Sequence, residues 1–214
     1  SVFGAPFSAQ AAGDVAHAAL PVLGSLVDRC LVLPLPPPAS GDDDRQRFEL
    51  HALVRQFAAG ELARDWTRQQ AAQARHADHV RHALARADIL RRREPGAALA
   101  VIGRLLPECR LAWTWAADNA QPAFLAATAP VLASCFEVEG RYSEGVSWLA
   151  QAQRSLDPKR RADLAALAAI GVAHGRLLLR LGDPASAGPL LRQALDHARA
   201  VDHHGVLRAP LGTI

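Results

Sequence analysis

The sequence is poor in several things at once. Its 214 residues include no methionine, one lysine (Lys159), one tyrosine and only 5% aromatics. Scarce aromatics beside abundant alanine suit closely packed small-residue helices better than a sheet sandwich. No uninterrupted apolar run reaches the roughly 18 residues that a membrane span needs, so no transmembrane helix is expected. Ser1-Val2-Phe3 does not open a secretory leader, which needs a basic start, an apolar run and a small-residue cleavage site. Cys30, Cys109 and Cys135 lie far apart in apolar surroundings. That spacing disfavours a zinc site or disulfide frame and predicts buried, reduced thiols. The simplest location is cytoplasmic. There is no GxxxxGK[ST] and Lys159 follows a proline, so the chain holds no P-loop; a Gly-x-Ser-x-Gly elbow is also missing. No catalytic set emerges, and the chain is not expected to be an enzyme by itself. The missing initial methionine predicts a piece of a larger protein.

What is present is enough apolar material for a core: half the residues are hydrophobic. The length favours one or two domains. Net charge is +3, unevenly spread. Residues 1–66 carry 5 Arg against 8 Asp and Glu (−3), residues 67–106 carry 8 against 3 (+5), and residues 107–214 carry 11 basic against 10 acidic (+1). Only the middle is basic.

Residues 1–66 predict a compact mixed unit. Ser8 is placed to cap a helix over "AQAAGDVAHA". "LPVLGSLVDRC" follows as a helix, with Pro21 in its first turn and Val22, Leu23, Leu26 and Val27 on one stripe. "LVLPLPPP" and "RFEL" predict two strands of a hairpin, joined by the polar loop "PPPASGDDDRQ". A closing helix runs from about Ala52 to Asp65, with Leu53, Val54, Phe57 and Ala58 as its apolar positions. This order is that of a winged-helix-like domain. Thr67 to Arg93 predicts one linking helix, with Ala77, Val80, Leu84 and Ala87 on its apolar face and Pro95-Gly96 ending the 67–95 segment.

From residue 96 to 214 the chain predicts a repeat array. Placing Gly140 over Gly182, 42 residues later, aligns Leu132 with His174, Ala133 with Gly175, Phe136 with Leu178, Gly145 with Ala187, Leu149 with Leu191, and Ala152 with Ala194. Small residues that let two helices approach, with larger ones between them, follow the tetratricopeptide scheme. "EGRYSEG" and "LGDPASAG" read as turns within successive helix pairs. Ala97 to Ala117, with Trp113 and Trp115, reads as a degenerate earlier unit. The expected fold is mainly α: a winged-helix-like domain with a small β-hairpin, then a tetratricopeptide-like α-α superhelix.

Candidate sites are few. Glu137/Glu139 and Asp42 to Asp44 sit beside turns or in the loop, where solvation accounts for them. His76, His79 and His82, at i, i+3 and i+6, lack the i, i+4 geometry of HExxH, so the wet side of the helix is expected and no metal is assigned. Arg91-Arg92-Arg93, with Arg81 and Arg86 upstream, could touch an acidic partner, but a solvated helix end is favoured. Between Ser8 and Arg29 the charged side chains are Asp14, Asp28 and Arg29, so direct DNA binding by this segment is not expected. His51 stands at a strand–helix join. It is either a half-buried cap or, since a helix N-terminus attracts anions, a phosphate contact with Arg55 one turn later.

"FELHALVRQFAAGEL" resembles the end of the winged-helix domain in STAND-type signal-transduction ATPases, bacterial relatives of the NB-ARC switch proteins. In that family a Met-His-Asp-like motif opens this helix, and its histidine reaches the β-phosphate of ADP in the ATPase core. Here the motif reads Leu50-His51-Ala52, with alanine in the acidic place. "SVFGAPFSAQAA" and "LGSLVDRCLV" resemble the entry and the helix–strand of the same domain. "RLAWTWAADN" and "GRYSEGVSWLAQA" resemble the helical sensor of AfsR and LuxR-related large ATPases. The resemblance implies a regulatory and sensor portion of a signalling ATPase, most simply a transcriptional regulator. It implies nucleotide sensing by His51, to which the helix adds Arg55 one turn later, and ADP or ATP bound in an ATPase core of the same parent chain, with no cofactor in this one. It further implies a protein or small-molecule inducer on the repeats. The alternative is a freestanding helical-repeat interaction scaffold without nucleotide.

Overall fold

A computed structural model describes residues 1–36 and 46–206, the side chains of 203–206 excepted. The loop residues Asp42 to Asp44 lie outside the described residues. The chain is mainly α with a small antiparallel sheet. By contact it divides into two compact units, Ser1–His82 with Leu105–Ala112, and Ala83–Arg104 with Trp113–Ile214. Limits at 66 and 95, drawn from sequence character, fall at turns; the units drawn by contact share two long helices instead.

The first unit opens with β1 (Phe7–Ser8) and α1 (Ala9–Ala16), then α2 (Leu20–Asp28), β2 (Val32–Leu35), β3 (Arg47–Leu50) and α3 (Ala52–Ala63). Ser8 caps α1 as expected, its side chain accepting from the Ala11 N–H at 2.9 Å. The hairpin forms in the expected places, with Val32 opposite Leu50 and Leu35 opposite Arg47. A third strand was not foreseen: Phe7 pairs with Phe48 and Ser8 with Arg47, giving the order β1-β3-β2. Two residues are too short to show alternation. The pairing brings Phe7 onto Phe48, and Phe3 stacks on Phe7 with ring centroids 4.5 Å apart. Val15, Leu23 and Val32 close this core. On α2 only Leu23 is buried, Leu26 and Val27 pack partly, and Val22 is 50% exposed, so the expected stripe is narrower than its spacing implied.

Next come α4 (Trp66–Arg91) and α5 (Pro95–Asp118). Ala77, Val80, Leu84 and Ala87 are all buried, as their spacing predicts.

The second unit continues with α6 (Pro122–Val138), α7 (Tyr142–Arg154), α8 (Arg161–Arg180) and α9 (Pro184–Val206). The 42-residue register holds in the backbone. Arg141 N–H donates to Phe136 O at 2.9 Å, and Asp183 N–H to Leu178 O at 3.0 Å. Between them Gly140 and Gly182 take φ of 69° and 79°, the left-handed conformation that a residue with a Cβ resists. Small residues also let the helices approach closely. A Cβ added to Gly145 would lie 2.5 Å from Leu177 Cδ1, and one added to Gly175 would lie 2.6 Å from Leu191 Cγ. α8 packs on α6, α7 and α9. Among the described residues α8 is also the one helix long and apolar enough to cross a membrane, and over half of that stretch is packed inside the unit.

Candidate functional site

β3 ends at Leu50, and His51 turns the chain with φ −54° and ψ 139°. Its Nδ1 accepts the Leu53 N–H at 3.3 Å, so the ring is an exposed cap of α3. In a neutral ring whose Nδ1 accepts, the proton sits on Nε2, which is then a donor. Arg55 follows one turn later, its N–H donating to His51 O at 2.9 Å. Its guanidinium does not stand beside the imidazole as a free pair: Nη1 donates to Gly4 O at 3.2 Å. The two predicted residues share one helix end, and one of them also ties down the N-terminal segment.

The helix they begin faces water. None of its described residues is buried, and Leu53 and Phe57 are each 70% exposed. Spacing identified the stripe, but spacing carries no information on which way the stripe points.

The histidines of α4 depart from expectation. His76 is 3% exposed, and its Nε2 lies 2.5 Å from Glu108 Oε2. Glu108 Oε1 accepts the N–H of Gly4 at 2.8 Å and of Ala5 at 2.5 Å, while Phe3 meets the imidazole edge-on. His79 Nδ1 is 3.0 Å from Asp14 Oδ2, and only His82, near Asp78, stays on the wet side. The partners come from far along the chain, so helical periodicity could not reveal them. Among the described residues no group of three or more His, Cys, Asp and Glu is arranged to hold a metal.

Two further expectations change. Glu137 and Glu139 are not merely solvated. Glu137 Oε1 lies 2.9 Å from Arg176 Nε and 3.7 Å from Arg180 Nε, and Glu139 Oε2 lies 3.0 Å from Arg141 Nη1. Of the cysteines, Cys109 and Cys135 are buried, but Cys30 is exposed. Cys30 lies two residues past α2 with φ 56°, a turn position rather than a core position. Burial, reinforced by Glu139, pushes the Cys135 thiol up to about 12. Of the basic residues, Arg81 pairs with Asp78 at 2.5 Å and Arg91 with Asp88 at 2.9 Å.

The repeat alignment names Leu191 and Ala194 but assigns no residue of the array to a partner surface. There the structure has an open groove of about 520 Å³ on α8 and α9 with Pro130 of α6 at its side, lined by Val172, Leu191, Leu195 and several alanines, with Arg176 also lining it. The signal was present in the 42-residue alignment, had it been carried past the turns to the exposed positions. Compared with protein-family models, curated proteins and solved structures, the chain matches none. The geometry holds an imidazole at an exposed helix start and, separately, an apolar groove.

Proposed function

We propose that this chain is the regulatory and sensor portion of a STAND-type ATPase signalling protein, most simply a transcriptional regulator. In this reading residues 1–66 form a winged-helix-like module, and the helix pairs after residue 96 form a tetratricopeptide-like sensor. The observation that carries it is the cap at His51. With Nδ1 taken by the Leu53 N–H, the exposed ring directs its remaining donor outward. It does so at a helix start whose dipole favours phosphate. His51 then donates Nε2–H to a phosphate oxygen of ADP held by an ATPase core of the parent chain. Arg55 adds positive charge beside it while holding Gly4. An inducer on the repeats shifts the switch only by its difference in affinity for the two states.

The test separates capping from sensing. Asparagine also caps helices well, so His51→Asn keeps the helix start and removes the imidazole. In the protein carrying the ATPase core, ADP should leave His51→Asn several-fold faster than wild type. Equal retention would mean that His51 is a cap alone. A second reading, a helical-repeat scaffold without nucleotide, draws on the α8–α9 groove. It requires the parent to show no nucleotide binding at all.

A further inference from the structure

His51 stands midway between two arginines, Arg47 four residues before it on β3 and Arg55 four residues after it on α3. Both reach one short segment near the start of the chain. Arg47 Nη2 donates to Pro6 O at 2.7 Å, and Arg55 Nη1 donates to Gly4 O at 3.2 Å. The N–H groups of that segment point to another element. Gly4 and Ala5 both donate to Glu108 Oε1 on α5, and the other oxygen of Glu108 meets His76 Nε2 on α4. Gly4 is therefore gripped from two sides, its N–H by a carboxylate of α5 and its C=O by a guanidinium of α3.

Residues 3–6 form a strap with little slack. Phe3 is buried, stacked on Phe7 and edge-on to His76 with ring centroids 5.8 Å apart. Pro6 cannot rotate about its own φ. Every residue of this chain of bonds belongs to the first compact unit. If the turn from 47 to 55 shifts, the strap carbonyls follow their donors or lose them, and a lost partner is costly. The bonds at Glu108 then weaken. Of the two anchors Arg55 is the one that yields first, since its bond is longer and exposed while that of Arg47 is part-buried.

We infer that residues 3–6 couple the His51 turn to the buried Glu108–His76 pair. A phosphate at the start of α3 draws the Arg55 guanidinium toward itself, because oxyanions make stronger bonds to it than a neutral carbonyl does. The bond to Gly4 O weakens and the strap loosens at Glu108. By linkage the effect is reciprocal, so a tight strap disfavours phosphate. This use as a signal rests on the nucleotide reading of His51, whereas the coupling itself does not.

Amide hydrogen exchange of the 214-residue chain, followed by NMR, tests the coupling. Arg55→Met keeps an unbranched apolar stem and removes the donor, so circular dichroism should stay that of wild type. The Gly4 and Ala5 amides should exchange about three- to tenfold faster, the effect of losing one modest hydrogen bond. The His76 ring resonances should move as well, although Arg55 bonds to Gly4 and not to His76. Arg55→Lys keeps a charged donor and should restore part of the protection. The Ala11 and Val80 amides should keep their wild-type rates. Unchanged exchange at Gly4 and Ala5, a His76 ring that does not move, or equal acceleration at Ala11 and Val80 would each overturn the coupling.

The signal is tested in the protein carrying the ATPase core, with exchange read by mass spectrometry on the peptide holding Gly4 and Ala5. That peptide should exchange faster with ADP bound than without it, and Arg55→Met should abolish the difference. If His51→Asn speeds ADP release while ADP leaves this peptide unchanged, the strap signal is refuted and the nucleotide reading stands. If His51→Asn leaves release unchanged, the nucleotide reading falls and the signal with it.

Discussion

The two units of this chain are held by different means. The first gathers sequence-distant pieces on a few phenylalanines and one buried carboxylate, with Glu108 receiving Gly4, Ala5 and His76. The second brings helices together through missing side chains, at Gly145 against Leu177 and Phe136 and at Gly171 against Ala194. The contrast says what each unit tolerates. The first is vulnerable to the loss of a polar group, because buried donors without an acceptor are costly. The second is vulnerable to the gain of a methyl, because a close-packed seam has nowhere to put it.

The largest effect should come from the carboxylate. Glu108→Ala leaves a buried imidazole and two part-buried backbone N–H groups without their acceptor, a loss of about 2–4 kcal/mol by urea unfolding. A loss below about 1 kcal/mol would break the contrast, since deleting a solvated acid costs no more than that. Next is Gly145→Val, which sets a Cβ 2.5 Å from Leu177 Cδ1 and 2.8 Å from the Phe136 ring. Overpacking of this kind should cost about 1–3 kcal/mol. The matching position 42 residues on is already alanine (Ala187), so its substitution by serine should matter less.

A smaller effect depends on pH. Burial lowers the pKa of His174 below its ordinary 6.5. The folded protein therefore resists charging a ring that the unfolded chain charges readily. Stability from this group is complete above pH 6.5 and declines as pH falls through the lowered value. Urea midpoints at pH 7.5 and 5.5 should differ more for wild type than for His174→Gln; equal differences would remove His174 from the account. The smallest effect involves no stability at all. Cys30 should react with a thiol reagent in the native protein, while Cys109 and Cys135 should react only on unfolding.

Elements with their own local signal were legible in the sequence. Ser8, Pro21, the hairpin strands and the two turn glycines each fix backbone geometry by their own chemistry, and the repeat doubled the signal at Gly140 and Gly182. What escaped was long-range. β1 is two residues that become a strand only because Phe48 lies beside them. His76 looked wet because Glu108 is 32 residues away in sequence. Cys30 looked buried because its neighbours are apolar, though a left-handed turn sets it outside. At the candidate site, His51 was readable as a cap, though it is exposed rather than half-buried, whereas the bond from Arg55 to Gly4 was not readable.

In the proposed function, nucleotide sensing belongs to the first unit and partner contact to the second. Dissociation of ADP from the protein carrying the ATPase core tests it most directly, with wild type, His51→Asn and Leu195→Glu followed side by side. The account predicts several-fold faster release from His51→Asn and a wild-type rate from Leu195→Glu. Release that is unchanged in His51→Asn, or accelerated by Leu195→Glu alone, would contradict it.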